Sequence, residues 1–161
     1  AATWAIPAAK MKGARPHRVP LAPAARAILA AMAPADGSTP KPDALVFPSP
    51  KGGQFSDMAL LAVVRRMDTA AVEAGDEGWR DDAGAIITPH GFRSSFRDWC
   101  GDAGHPRDLA EAALAHAFGD ETERAYARSD LFARRRALMD KWGAFAAGQP
   151  APDKVVPLRR A

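Results

Sequence analysis

The stretch Thr88-Pro89-His90-Gly91-Phe92-Arg93-Ser94-Ser95-Phe96-Arg97-Asp98-Trp99-Cys100-Gly101-Asp102-Ala103 is the most legible part of this 161-residue chain. Thr88 is placed to cap a helix, and Pro89 suits its first turn, where no amide hydrogen is required. Gly104 follows as a stop. Successive helical residues turn by about 100°, so Phe92, Phe96 and Trp99 share one side, the spacing that core packing produces. His90, Arg93 and Arg97 share another side, offset by roughly 120°. A histidine and an arginine three residues apart at a helix N-terminus project together, beside amides that favour anions. That arrangement suits a phosphate, although an ordinary solvated face can carry the same pair.

Downstream, Arg107 to about Ala117 reads as a helix closed near Gly119, and a short helix follows around Glu121 to Ala127. The last helix runs from Leu131 to about Ala147, with Leu131, Leu138, Trp142 and Phe145 on its buried side. Upstream, Ser56 is an N-cap candidate for a helix reaching about Glu73. Leu60, Leu61, Val64, Met67 and Ala71 give that helix one apolar face. Residues 75–84 are acidic and glycine-bearing, and residues 34–42 are polar and proline-rich, so both read as loops. Pro23 opens a helix over residues 23–33. Thr3-Trp4-Ala5-Ile6 and Arg18-Val19-Pro20-Leu21 are short and β-compatible, and a basic, turn-rich segment between them makes a hairpin the natural reading. The expected fold is mainly α with a small antiparallel β element at the N-terminus, an α+β arrangement. One domain is expected over residues 1–147, with the hairpin at 3–21 and a helical body over 23–147, followed by a tail over 148–161.

Composition supports a packed core: 47% of residues are apolar and 25% charged, close to globular averages. Alanine supplies roughly a quarter of the chain, a bias toward helix. No apolar run approaches the ~20 residues needed to span a bilayer, and no charged-then-apolar leader opens the chain. A single cysteine, Cys100, excludes an internal disulfide and a thiolate metal cluster, and suits a reducing cytosol. The net charge of +3 and pI of about 9.4 are compatible with a polyanionic partner without requiring one.

Three further markers carry chemistry. His116 lies in Leu114-Ala115-His116-Ala117-Phe118-Gly119, where a histidine at a helix end would ordinarily interact with the helix dipole. Tyr126, the only tyrosine, lies in Glu123-Arg124-Ala125-Tyr126-Ala127-Arg128 with an arginine two residues away on each side. The segment from Lys10 to Arg18 holds Lys10, Lys12, Arg15 and Arg18 and no acid, so it is either an exposed soluble turn or a finger for phosphates.

In this order the markers resemble the tyrosine recombinase family, the phage-type integrases, in its C-terminal catalytic domain. The resemblance runs from Trp4-Ala5-Ile6-Pro7 and Met11-Lys12 through His17-Arg18-Val19-Pro20-Leu21 and Val46-Phe47-Pro48. It continues through the His90–Trp99 stretch and Leu114-Ala115-His116 to Tyr126 and Trp142, covering nearly everything except the tail. An H-x-x-R pair, a histidine 23 residues after that arginine and a tyrosine 10 residues later form a specific combination.

The resemblance implies site-specific DNA recombination, the integration or excision of a mobile element. Tyr126 would attack a scissile phosphate and become joined to its 3′ side. Arg93 would hold the nonbridging oxygens, His90 would act as general acid/base, His116 would hydrogen-bond the same phosphate, and Lys12 would protonate the departing 5′ oxygen. Lys10, Arg15, Arg18, Arg97, Arg124 and Arg128 are the candidate DNA-binding cations. No cofactor or metal is expected. The implied partners are double-stranded DNA and other protomers, as a tetramer on DNA, with no membrane; the implied location is the cytoplasm, at the nucleoid when DNA is bound. The family also uses a first arginine ahead of the hairpin and an amino-terminal DNA-clamping domain, and no residue here matches either. Losing one charge-stabilising group typically costs ~10²–10³ in rate, so this piece alone is expected to cleave DNA poorly. Lys154-Val155-Val156-Pro157-Leu158 would either dock on a neighbouring protomer or fray.

Three other readings compete. A truncated integrase could bind DNA without cutting it. A type IB topoisomerase uses similar tyrosine chemistry, although the Val-Pro-Leu hairpin and the short His116–Tyr126 interval favour integrases. A zinc protein built from His90, Cys100, His105 and His116 matches no familiar ligand spacing.

Overall fold

A computed structural model describes residues 2–116 and 130–149 of the chain. The short helix around Glu121 to Ala127, the stop at Gly119, and Tyr126, Arg124 and Arg128 lie outside the described residues, as does nearly all of the 148–161 tail. Mainly helical structure with one two-stranded antiparallel sheet makes the fold α+β. The chain divides into two compact units.

The first unit joins the N-terminal 31 residues to the chain from Gly104 onward. Strands β1 (Thr3–Ile6) and β2 (His17–Pro20) pair with Thr3 opposite Pro20 and Ile6 opposite His17. Leu21 N–H extends the pairing to the Ala2 carbonyl at 3.2 Å. Pro20 is tolerated because it ends β2 in a two-stranded sheet, where every strand is an edge strand. Between the strands, a single 3₁₀ turn (Ala8–Lys10) and a second turn closed by Ala14 N–H on the Met11 carbonyl carry the basic segment. Helix α1 (Pro23–Ala31) follows, two residues shorter than predicted. Helices α4 (Arg107–Ala113) and α5 (Phe132–Ala146) complete this unit. Helix α5 packs on β2, α1 and α4. Ala22, Leu109, Ala110 and Leu138 are its buried apolar residues. The predicted buried side of α5 needs one correction: Leu138 is buried, but Phe145 is 56% exposed in the last turn, its ring tilted against Trp142 at 5.5 Å.

Helix α4 also ends earlier than the sequence suggested. Ala115, at φ +57°, turns the chain left-handed four residues before Gly119. Its N–H meets the Ala112 carbonyl at 3.3 Å, and His116 N–H returns to the Glu111 carbonyl at 3.0 Å. This is a Schellman closure built on alanine where glycine is the usual occupant.

The second unit spans Met32–Ala103 and holds α2 (Ala59–Glu73) and α3 (Gly91–Asp102). Residues 32–58 contain no regular helix or strand. Ser56 contributes its carbonyl, not its hydroxyl, to the start of α2: it accepts Ala59 N–H at 3.0 Å. The buried side of α2 is rotated from the predicted face. Val64 and Asp68 are buried, whereas Leu60 is 68% and Met67 41% exposed. Asp68 tolerates burial because its carboxylate is satisfied twice, by Trp79 N–H at 2.9 Å and by Arg80 at 2.9 Å. This clamp orders the 75–87 loop, where Trp79 accepts Ile87 N–H and Arg80 bridges Ile86. On α3, Phe96 and Cys100 are buried and Trp99 stacks on Phe96 at 6.3 Å. Phe92 departs from the predicted core stripe: it is 55% exposed, at the second residue of the helix.

Gly143 on α5 has a packing role. A Cβ there would lie 2.5 Å from the Cβ of buried Ala22, which has no flexible end to move aside. Gly143→Ala is therefore expected to destabilise the chain by about 1–3 kcal/mol, reversing the ~1 kcal/mol gain that alanine brings in an open helix. Denaturant unfolding checks the sign; a more stable variant would contradict the close approach.

Candidate functional site

Within the second unit, His90 and Arg93 occupy the first turn of α3. His90 takes the cap position with helical dihedrals (φ −67°, ψ −33°), and both side chains are exposed, as is Arg97 one turn on. Thr88 helps to start the helix as predicted: Gly91 N–H meets its carbonyl at 2.9 Å and lies 3.4 Å from its hydroxyl. Arg93 N–H is taken by the His90 carbonyl at 3.0 Å. Two of the first-turn amides are thus used internally, and an anion at this turn would rest mainly on the imidazole and guanidinium side chains.

Within the first unit, Lys10, Lys12 and Arg15 are exposed on the hairpin connection. At the end of α4, His116 Nδ1 lies 2.7 Å from Glu111 Oε2. The Glu111 side chain is only 9% exposed, against 46% for His116, and Arg107 approaches its other oxygen at 3.9 Å.

The most elaborate cluster surrounds Asp130. Arg18, on β2, donates from Nε and Nη2 to Asp130 Oδ2 at 2.9 and 2.7 Å. Arg135, 1% exposed, donates to the Asp130 carbonyl at 2.7 Å, to the Arg18 carbonyl at 2.8 Å and to Asp130 Oδ2 at 3.3 Å. Asp130 Oδ1 accepts Phe132 N–H at 3.1 Å. The Phe132 ring lies 4.3 Å from the Arg18 guanidinium and 5.1 Å from that of Arg136. Burial works against the Asp130 charge, but the hydrogen bonds from Arg18 and Phe132 and the two guanidiniums hold its carboxyl below the usual range. His17 is pushed below its ordinary 6.5 by burial and by the Arg135 charge, against a hydrogen bond to the Ala113 backbone and the Asp130 charge.

The Phage integrase family profile matches residues 1–131, which include the α3 turn, the hairpin connection and the Glu111–His116 pair. The chain belongs to the phage integrase family of tyrosine recombinases. Prophage integrase IntA of Escherichia coli (strain K12) is 37% identical over 142 residues, 88% of this chain and 30% of that protein. The chain therefore spans less than a third of that relative's length. No solved structure matches the chain.

The structure brings His90, Arg93 and Arg97 together along the cap and first turns of one helix of this integrase-family chain, and it carries Lys10, Lys12 and Arg15 on the connection between the two strands. His116 lies in the same unit as the hairpin, just past the end of α4. Arg18 is already paired with Asp130, so its charge is largely compensated inside the chain. Tyr126, Arg124 and Arg128 lie outside the described residues. Among the described residues no group of three or more His, Cys, Asp or Glu could hold a metal ion, and no helix is long and apolar enough to cross a membrane. The sequence reading missed Glu111, Asp130 and Arg135. Asp130 and Arg135 bracket the start of α5 and carried a signal as a charged pair; Glu111 carried none, because its contact depends on a left-handed alanine.

Asp130→Ala leaves the Arg135 guanidinium buried beside one fewer acceptor and no counter-charge, which is expected to cost about 3 kcal/mol or more. Arg18→Ala removes a partner whose side chain is 53% exposed and is expected to cost under ~1 kcal/mol. Equal losses in urea unfolding would contradict this ranking. His17 adds a pH dependence. Its folded pKa is lowered, so the unfolded chain takes up the proton first; stability is complete above about 6.5 and declines as pH falls toward the folded value. His105, lowered by burial and the Lys141 charge, acts in the same direction. His17→Gln is expected to reduce, without abolishing, the loss of unfolding midpoint between pH 7.5 and 5.5; an unchanged slope would refute the assignment.

Proposed function

We propose that this chain supplies the strand-cleaving part of a site-specific recombinase acting on double-stranded DNA, integrating or excising a mobile element through a 3′-phosphotyrosyl intermediate. The observation that carries the reading is the exposed His90–Arg93 turn at the start of α3, in a chain whose family match spans it. The printed name of the IntA relative, a prophage integrase, points the same way.

In this reading Tyr126 Oη attacks the phosphorus of a scissile phosphodiester. The O–P bond to tyrosine forms as the P–O5′ bond breaks. The phenol proton passes to His90, and Lys12 gives a proton to the departing 5′ oxygen. A free phenol, with pKa ~10, is a weak nucleophile at neutral pH and needs this help. Arg93 compensates charge on the nonbridging oxygens with two parallel N–H donors, and His116 adds a further hydrogen bond. The phosphotyrosyl ester keeps the energy of the broken bond, so a 5′ hydroxyl can reverse the step without ATP. Lys10, Arg15, Arg97, Arg124 and Arg128 serve the DNA backbone, and Arg18 does so only to the extent that it leaves Asp130. Assembly of four protomers on DNA belongs to the same proposal, since two duplexes must each be cut on both strands.

The test uses the gene-encoded protein and a randomised pool of nicked duplexes that trap the covalent step. A denaturant-resistant protein–DNA adduct is expected with the native sequence and none with Tyr126→Phe. Arg93→Ala is expected to lower adduct formation by ~10²–10³. An adduct that survives Tyr126→Phe would overturn the mechanism. DNA retention without any adduct would make the chain a DNA-binding module that does not cut.

A further inference from the structure

Glu111 is a carboxylate held in a buried place. It lies on α4 with its side chain 9% exposed, in a unit whose other buried positions on that helix are Leu109 and Ala110. An acid in such a place is costly unless it is paired. Arg107, 72% exposed and 3.9 Å away, is a weak partner. A close partner is His116, whose Nδ1 stands 2.7 Å from Oε2.

The backbone is bent to make that contact. Residues i and i+5 do not face each other on a straight helix, where neighbours are three or four apart. Ala115 takes the left-handed conformation at φ +57°, one that costs alanine roughly 1–2 kcal/mol. The turn sends His116 N–H to the Glu111 carbonyl at 3.0 Å while its ring meets the Glu111 carboxylate. One residue therefore holds His116 twice, by main chain and by side chain.

We infer that Glu111 is a positioning residue: it fixes the ring rotation and tautomer of His116 so that Nε2 is the atom presented to the DNA phosphate. A carboxylate acceptor at Nδ1 requires a proton on Nδ1. The hydrogen bond to a nonbridging oxygen is made with two ring protons, when Nε2–H donates and Glu111 offsets the added charge; with one ring proton, held on Nδ1, Nε2 is an acceptor. In both states the edge of the ring turned to the phosphate is the same. This inference rests on the proposal that His116 meets the scissile phosphate.

The experiment has two readouts. In the 161-residue chain labelled with ¹⁵N-histidine, neutral His116 is expected as the Nδ1–H tautomer, opposite to the form a free histidine prefers. Glu111→Ala is expected to move it toward Nε2–H, and Glu111→Gln, whose amide oxygen still accepts, to keep Nδ1–H. A native chain showing Nε2–H would overturn the inference without any variant, so a Glu111→Ala chain that fails to fold does not shield it. In the gene-encoded protein, adduct formation with the nicked duplexes is expected to fall as much in Glu111→Ala as in His116→Ala, within about threefold. The double variant is expected to lose no more than His116→Ala alone. Penalties that multiply would show Glu111 acting apart from His116 and would overturn the inference. Adducts that persist in Tyr126→Phe would instead remove the recombinase reading, while the tautomer measurement still judges the Glu111–His116 coupling.

Discussion

Burial of the Arg135 guanidinium is the constraint around which the hairpin unit is organised. Arginine does not give up its proton at any ordinary pH, so burying it demands acceptors in fixed places. Three are supplied: the Asp130 carbonyl and carboxylate, and the Arg18 carbonyl on β2. The last of these joins the strand to helix α5 across more than a hundred residues of sequence. A two-stranded hairpin is marginal by itself in water, and this tie, with the Arg18–Asp130 pair and the Phe132 ring beneath it, fastens the hairpin that displays Lys12.

Carboxylates play the same structural role at two points of the sequence that flank Tyr126. Glu111 holds His116 on one side, and Asp130, with its two arginines, fixes the start of α5 on the other. In the second unit Asp68 does comparable work: it clamps Trp79 and Arg80 and so orders the loop that leads into the His90–Arg93 turn. Among the described residues, His116, the hairpin strand β2 and the loop ahead of the His90–Arg93 turn are thus each held by a buried or half-buried acid. The net charge of only +3 is consistent with this economy, since many of the positive groups already have partners in the chain.

Much of the fold was legible in the sequence because local rules agreed with one another. Proline at the start of α1, threonine ahead of α3 and the β-compatible Thr3–Ile6 stretch before a turn-rich segment placed these elements within two or three residues of their observed ends. The errors have physical causes. The face of α2 was read from its apolar residues alone, whereas Asp68 faces inward with both oxygens satisfied. Phe92 and Phe145 were placed in the core by periodicity, which does not report where the covering layer stops. Helix α4 was carried to about Ala117 with its stop near Gly119, because glycine is the expected left-handed residue, and Ala115 took that role instead. Of the candidate site, His90, Arg93 and His116 were visible as a spaced motif, whereas the acid that holds His116 was hidden by the turn that creates the contact.

The central claim is that Arg93 neutralises charge on the phosphate attacked by Tyr126. Replacing one nonbridging oxygen of that phosphate with a methyl group removes the charge while leaving the linkage to be attacked. If the claim holds, Arg93→Ala will cleave the methylphosphonate duplex nearly as well as the native protein does, although it cleaves the ordinary duplex poorly. An Arg93→Ala defect of the same size on both duplexes would contradict it.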